Sequence, residues 1–243
     1  MSSFLPLASL RPPNFSAGRL RLFGQDCLLC AAPSGDEVVC ASCESSLPRL
    51  QACCPRCAAP LPVAVLCGAC QRSVPRFDAA ACAFEYRFPV DRLVHRFKYA
   101  GDLATGRWLA LQLAARTRHE PRPDLLVAAP LTPARLRSRG FNQAVEIAKP
   151  IARALRVRVA IAGVVRTRDT QPQPGLRRRE RRANLRGAFR CDLRLSGEHV
   201  AVIDDVMTTG ATADALAAAL HGAGAGHVSI WAVARTPDPA SAA

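Results

Sequence analysis

Two sets of residues in this sequence have types and spacings that can do chemistry. The first is Val202-Ile203-Asp204-Asp205-Val206-Met207-Thr208-Thr209-Gly210-Ala211-Thr212, where an apolar run ends in two acids and a Thr/Gly turn leads into an Ala-rich stretch. A turn that opens a helix aims backbone N–H groups and the helix dipole at one point, which suits a phosphate. Thr208, Thr209 and Thr212 add hydroxyl donors, and Gly210 lets the backbone approach closely. Two acids would repel a bare phosphate. Asp204 and Asp205 are therefore expected to hold another part of the same ligand, such as ribose hydroxyls or a magnesium ion. The plainer alternative is an N-capped helix after a strand.

The second set is a cysteine repeat. Cys27-Leu28-Leu29-Cys30 is followed by Cys40-Ala41-Ser42-Cys43, and Cys54-Pro55-Arg56-Cys57 by Cys67-Gly68-Ala69-Cys70; each Cys of the first unit lies 27 residues before its counterpart. Two residues between cysteines let both sulfurs curl toward one ion, and eight thiolates serve two tetrahedral sites. Zinc fits best; iron in a rubredoxin-like site and disulfides are the alternatives. Equal spacings favour sequential pairing over interleaved pairing, and Cys53 is left as a spare. The nine-residue arms suit a short hairpin. No position is open and no His/Glu pair is near, so these zincs read as structural. The ribbon is expected to depend on metal by itself, with loss of zinc unfolding residues before Pro75 and sparing the rest.

The elements that must position the acid-Thr/Gly turn follow from the apolar pattern. Asp78 to Phe88 reads as a strand, and Leu103 to Arg118 as an amphipathic helix. Leu125 to Pro130 and Val200 to Asp204 are continuous apolar runs, as in buried parallel strands. Asn142 to Leu155 reads as a helix carrying Pro150, Thr212 to His221 as an Ala-rich helix, and Val228 to Ala234 as the closing strand. Gly222-Ala223-Gly224-Ala225-Gly226 follows a helix and reads as its stop. Strands alternating with helices predict an α/β domain with a mostly parallel sheet and a ligand at the carboxyl ends of its strands. The expected organisation is an N-terminal extension over 1–26, a double zinc ribbon over 27–75, the α/β domain over 76–236 and a tail over 237–243.

The formal net charge is +14 with a pI of about 10.1, which attracts polyanions such as nucleic acid. An Arg-rich genome would give the same balance. The stretch Arg177 to Arg186 concentrates the charge; it reads as a site for single-stranded DNA or as a solvated face. Arg166 to Gly175, with Gln171-Pro172-Gln173-Pro174-Gly175, reads as a mobile loop. The sequence shows no membrane span, and clustered cysteines fit a cytoplasmic, reducing compartment.

The strand-Asp-Asp-x-x-Thr-Thr-Gly-x-Thr pattern resembles the phosphoribosyl pyrophosphate motif of type I phosphoribosyltransferases. With the Cys knuckles, Phe97-Lys98-Tyr99-Ala100-Gly101-Asp102, Pro130-Leu131, Arg139-Gly140-Phe141-Asn142-Gln143, Asn184 and Phe189, the order from Cys27 to Arg235 is similar to the ComF family, whose relatives include the GntX-like proteins. The resemblance implies a double zinc ribbon followed by a type I phosphoribosyltransferase fold. It also implies phosphoribosyl pyrophosphate with magnesium as ligand and, in some bacteria, a link to competence and the DNA-uptake machinery. Carried onto this chain, Thr208, Thr209, Gly210, Ala211 and Thr212 would hold the 5′-phosphate and Asp204 and Asp205 the ribose. Arg139, with Arg135 and Arg137 nearby, would meet the pyrophosphate; Asp204, Asp205 and Arg139 are the expected catalytic residues. One departure stands out. Purine-specific members carry an Asp three residues after the second acid, where this chain has Thr208. Two readings stay open: a phosphoribosyltransferase with an unknown acceptor, and a non-catalytic nucleic-acid-handling protein that uses the pocket as a ligand sensor.

Overall fold

The computed structural model describes residues 24–167, 185 and 187–237. The Gln171–Gly175 loop, Asn184, the Arg177–Arg186 run apart from Leu185, and most of both terminal segments lie outside the described residues.

The cysteine repeat is a structural repeat. Cys27 accepts a backbone hydrogen bond from Ala31 and donates one to Ala32; Cys54 does the same with Ala58 and Ala59. Ala31 and Ala58 take matching left-handed backbone angles, φ 58° and 53°. Cys40 and Cys67 each start a short helix, α1 (Ala41–Ser45) and α2 (Gly68–Arg72). The strands β1 (Gln25–Asp26) and β2 (Pro33–Gly35) pair antiparallel, so their hairpin wraps the first knuckle rather than spanning the nine-residue arm.

The second domain is built on β3 (Ala79–Glu85), β4 (Leu125–Ala128), β5 (Arg158–Ala160), β8 (His199–Met207) and β9 (His227–Arg235), with β6 (Val164–Arg166) and β7 (Phe189–Cys191) as a separate antiparallel pair. The five-stranded sheet has the order β3-β9-β8-β4-β5 and is parallel throughout. Its strands are near-continuous apolar runs because both faces are covered. One face carries α3 (Val90–Tyr99), α4 (Leu103–Thr117) and α6 (Gln143–Leu155), which bury Leu93, Phe97, Leu109, Leu113, Ile147 and Ile151. The other carries α7 (Ala211–Gly222), which buries Leu216, Ala217 and Leu220. The expected α/β fold with a mostly parallel sheet is the one found.

The ribbons do not stand apart from this core. Residues of the first ribbon (Cys27, Val38, Val39, Leu47) pack with the α3/α4/α6 face, and residues of the second (Cys54, Cys57, Cys70) with the α7 face. The segment between them lies along the free edge of β3: Leu50 N–H donates to Ala83 O at 3.0 Å, and Glu85 N–H donates to Pro48 O at 2.8 Å. The double ribbon therefore straddles one edge of the sheet. No described helix is long and apolar enough to cross a membrane.

Candidate functional site

The strand order locates the site. From β4 the chain runs through α6 to β5 on one side, and from β8 through α7 to β9 on the other. The crevice between the carboxyl ends of β4 and β8 is thus the topological switch point, where open α/β sheets bind ligands. The β4 pairing stops at Ala128↔Ile203, while β8 continues beside β9 to Met207↔Arg235. Asp204 and Asp205 therefore sit on the protruding end of the strand, not in a loop; only Thr208 to Gly210 forms the turn. Gly210 has φ 75° and begins α7 without a side-chain cap of its own, and the Thr209 hydroxyl accepts from Ala211 N–H at 3.4 Å. The other first-turn N–H groups keep donor capacity at the positive end of the helix dipole.

The acids differ in environment. Lys98 Nζ lies 2.9 Å from Asp205 Oδ2. Burial, and then the charge of Asp205, push the Asp204 carboxyl up to about 7, against the pull of its bond from Asp205 N–H and of Lys98 and Arg135. Two adjacent carboxylates in a recess favour a cation, and Lys98 supplies one.

The β4 side delivers the arginines on a helix. This is α5 (Pro133–Arg139), capped by the Thr132 hydroxyl, which accepts from Arg135 N–H at 3.3 Å, and ended by Gly140 at φ 76°. Asn142 caps α6 and donates to Ala129 O at 3.1 Å, fixing the α5–α6 corner to the end of β4. Arg135 is the arginine whose charge acts on Asp204. Arg139 instead lies over the Tyr99 ring at 5.2 Å and donates to Gln143 Oε1 at 2.9 Å, and Arg137 is exposed. Lys98 stands in the Phe97–Asp102 motif, but the sequence by itself assigns it no role. The available signal was composition: only Lys98 and Lys149 are lysines among the 33 basic residues. Of the same motif, Asp102 caps α4 by accepting from Thr105 N–H at 3.0 Å.

The cysteines form two sets by sequential pairing, Cys27/Cys30/Cys40/Cys43 and Cys54/Cys57/Cys67/Cys70, with all sulfurs of a set within 4.8 Å of one another. The Cys30–Cys40 and Cys57–Cys67 sulfurs are 3.8 and 3.6 Å apart. A tetrahedron with 2.3 Å Zn–S bonds has edges of about 3.8 Å, so both sets fit zinc. Cys53 belongs to neither.

These features define a class: a double zinc ribbon fused to a parallel α/β domain with an acid-Thr/Gly site at its switch point. Residues 20–71 match the family described as Double zinc ribbon domain. DNA utilization protein YhgH of Escherichia coli K12 is 37% identical over 158 residues, covering 63% of this chain and 70% of the relative. Competence protein F of Haemophilus influenzae is 31% identical over 159 residues, covering 62% and 69%. The chain belongs to the ComF family, the family of these proteins. A purine phosphoribosyltransferase from Pyrococcus horikoshii overlaps 52% of this chain and 70% of its own, at 16% identity and a TM-score of 0.35, too loosely to carry an argument.

Proposed function

We propose that the switch-point crevice binds phosphoribosyl pyrophosphate and that the chain is a phosphoribosyltransferase of unknown acceptor. The observation that carries this reading is the run of Asp204, Asp205, turn and helix start at the end of β8, beside the switch point to which the end of β4 leads α5 and its arginines. Thr208, Thr209, Gly210, Ala211 and Thr212 would hold the 5′-phosphate. Asp204 and Asp205 would accept hydrogen bonds from the ribose hydroxyls. Arg135, whose charge acts on Asp204, would lie beside the ribose, and Arg139 would reach the diphosphate after leaving Tyr99; cations placed there stabilise charge that grows on the leaving group. The acid pair fits a magnesium ion brought in by the diphosphate, because two adjacent carboxylates, with Asp204 raised first by burial and then by the charge of Asp205, favour a cation. Bound magnesium would offset the charge of the diphosphate. Titration calorimetry with inorganic phosphate, ribose 5-phosphate and magnesium phosphoribosyl pyrophosphate tests the reading. Binding of the last no tighter than inorganic phosphate sinks it.

A second reading has its own support. Thr208, exposed, stands where purine-specific enzymes carry a carboxylate, and the relatives are named for DNA utilization and competence. In this reading the pocket is a ligand sensor in a cytoplasmic protein that handles single-stranded DNA beside the uptake machinery. Pyrophosphate release across a panel of acceptors separates the two. The division at residues 26, 75 and 236 belongs to the same proposal, with the ribbons as a second unit locked to the first.

A further inference from the structure

Arg235 ends β9 and is only 2% exposed, yet among the described residues no carboxylate pairs with it. The partners of its Nε and Nη1 are all carbonyls. Nε donates to Cys57 O at 3.0 Å, and Nη1 donates to Met207 O at 3.1 Å, to Thr236 O at 2.7 Å and to Thr208 O. Cys57 is a ligand of the second cysteine set, and Met207 and Thr208 lead into the phosphate turn. One side chain thus ties a metal knuckle to the turn, across 178 residues of sequence.

Two physical consequences follow. A buried guanidinium held only by neutral carbonyls is costly, and nearby negative charge lowers the cost. Four thiolates around one zinc ion leave about two negative charges, beside Arg235. The peptide unit is planar and trans, so its N–H points opposite its C=O. Holding the Met207 and Thr208 carbonyls toward Arg235 turns the Thr208 and Thr209 N–H groups to the other side. Two further links run from the segment after the second ribbon to the helix that the turn opens. Asp214 of α7 accepts from Arg76 N–H at 2.7 Å, and His221 Nε2 of α7 lies 3.2 Å from Arg76 O. The first ribbon packs on the opposite face of the sheet.

We propose that Arg235 is a positioning residue through which metal loading of Cys54, Cys57, Cys67 and Cys70 sets the shape of the phosphate turn. On the ligand reading above, that loading also sets its affinity for a phosphorylated ribose. The first cysteine set does neither.

The test uses the full chain loaded with zinc and compares Cys70→Ser, which disables the second set, with Cys43→Ser, which disables the first. Amide hydrogen exchange over residues 207–212 is read without ligand. Exchange is expected to rise about tenfold or more in Cys70→Ser and Arg235→Met, to rise less in Arg235→Lys, and to stay at the parent value in Cys43→Ser. Parent-like exchange in Cys70→Ser, or equal acceleration by both Cys variants, overturns the proposal. Cobalt in place of zinc supplies a second readout. Because coupling is reciprocal, ribose 5-phosphate or magnesium phosphoribosyl pyrophosphate should shift the second-site absorption bands in the parent and in Cys43→Ser. Bands unmoved at ligand saturation also overturn it. If neither compound binds the parent, the ligand reading fails and the exchange data alone judge the coupling. If Cys70→Ser or Arg235→Met does not fold, Arg235→Lys decides, and parent-like exchange there rejects the role.

Discussion

Lys98 Nζ lies 2.9 Å from Asp205 Oδ2, with only 16% and 13% of the two side chains exposed. The pair joins the end of α3 to the end of β8, so it fixes one wall of the crevice as well as its charge. An anionic ligand has to approach two carboxylates, and Lys98 is the cation already in place. Lys98→Met is expected to weaken binding of ribose 5-phosphate by roughly tenfold or more, equivalent to about 1–3 kcal/mol for a charge-assisted contact. Lys98→Arg should retain part of it. Calorimetric affinities equal to the parent's for Lys98→Met would remove Lys98 from the site.

Asp204 ties stability to pH. Its folded pKa is raised from 3.8 to about 7, so between those values the folded form holds a proton that the unfolded form has lost. Stability therefore falls as pH rises through this window and levels off above it. Asp204→Asn is expected to add about 1–4 kcal/mol near pH 8 and almost nothing near pH 3. Urea melts across that range give the difference; a pH-independent gain contradicts the assignment. Asp204→Ala with Asp205→Ala should abolish ligand binding altogether, since ionised acids accept the ribose hydroxyls.

Gly210 has φ 75°, and a Cβ there would meet Met207 Cε at 3.0 Å. Gly210→Ala should cost about 1–2 kcal/mol of stability through backbone strain and weaken phosphate binding by distorting the turn, with no change of charge. Thermal melts and titration with inorganic phosphate measure both effects. An unstrained, fully binding variant would show that the turn tolerates other geometries.

Protein purified without added metal should carry two zinc ions, falling to one in Cys54→Ser. Because both cysteine sets share packing with the sheet, strong chelation should lower the melting temperature of the whole chain in one transition. Survival of the sheet domain at its original melting temperature, monitored by Trp231 fluorescence, would restore the picture of an autonomous ribbon.

Arg178, Arg181 and Arg182 lie outside the described residues, and the expectation for them rests on sequence. Replacing all three by Ala should weaken binding of single-stranded DNA and flatten its dependence on salt, with little change between sequences. Identical salt slopes for variant and parent would make the run a solvated face.

Much of this architecture was legible in the chain. Leu125 to Ala128 and Val200 to Ile203 announce buried parallel strands, and the 27-residue cysteine repeat announces the ribbons together with their pairing. The failures have physical causes. In the second domain, helices α3 and α5 and the short strands β5, β6 and β7 went unread. Helix α3 is polar on average and shows only a narrow apolar stripe of Val90, Leu93, Val94 and Phe97. Helix α5 buries nothing and stands on its Thr132 cap and Gly140 stop. Strand β8 runs past the acids because β9 pairs with it as far as Met207, a tertiary effect invisible to local pattern. Arg235 looks like any other arginine until Cys57 and Thr208 are seen on either side of it.

The place of β9 has a consequence for how the chain is made. Among the described residues, strand β3 finds its only parallel neighbour in β9, with Ala79 beside Ser229. During synthesis β3 emerges with Pro48 to Leu50 on one edge and nothing on the other. Its second edge stays open until His227–Arg235, about 140 residues further on, has left the ribosome. Such long-range closure is slow compared with local folding. A nascent chain cut short before His227 loses a strand from the middle of the sheet, and with it the guanidinium that joins ribbon to turn, so it is left with an exposed, apolar β3 edge prone to pairing with other chains.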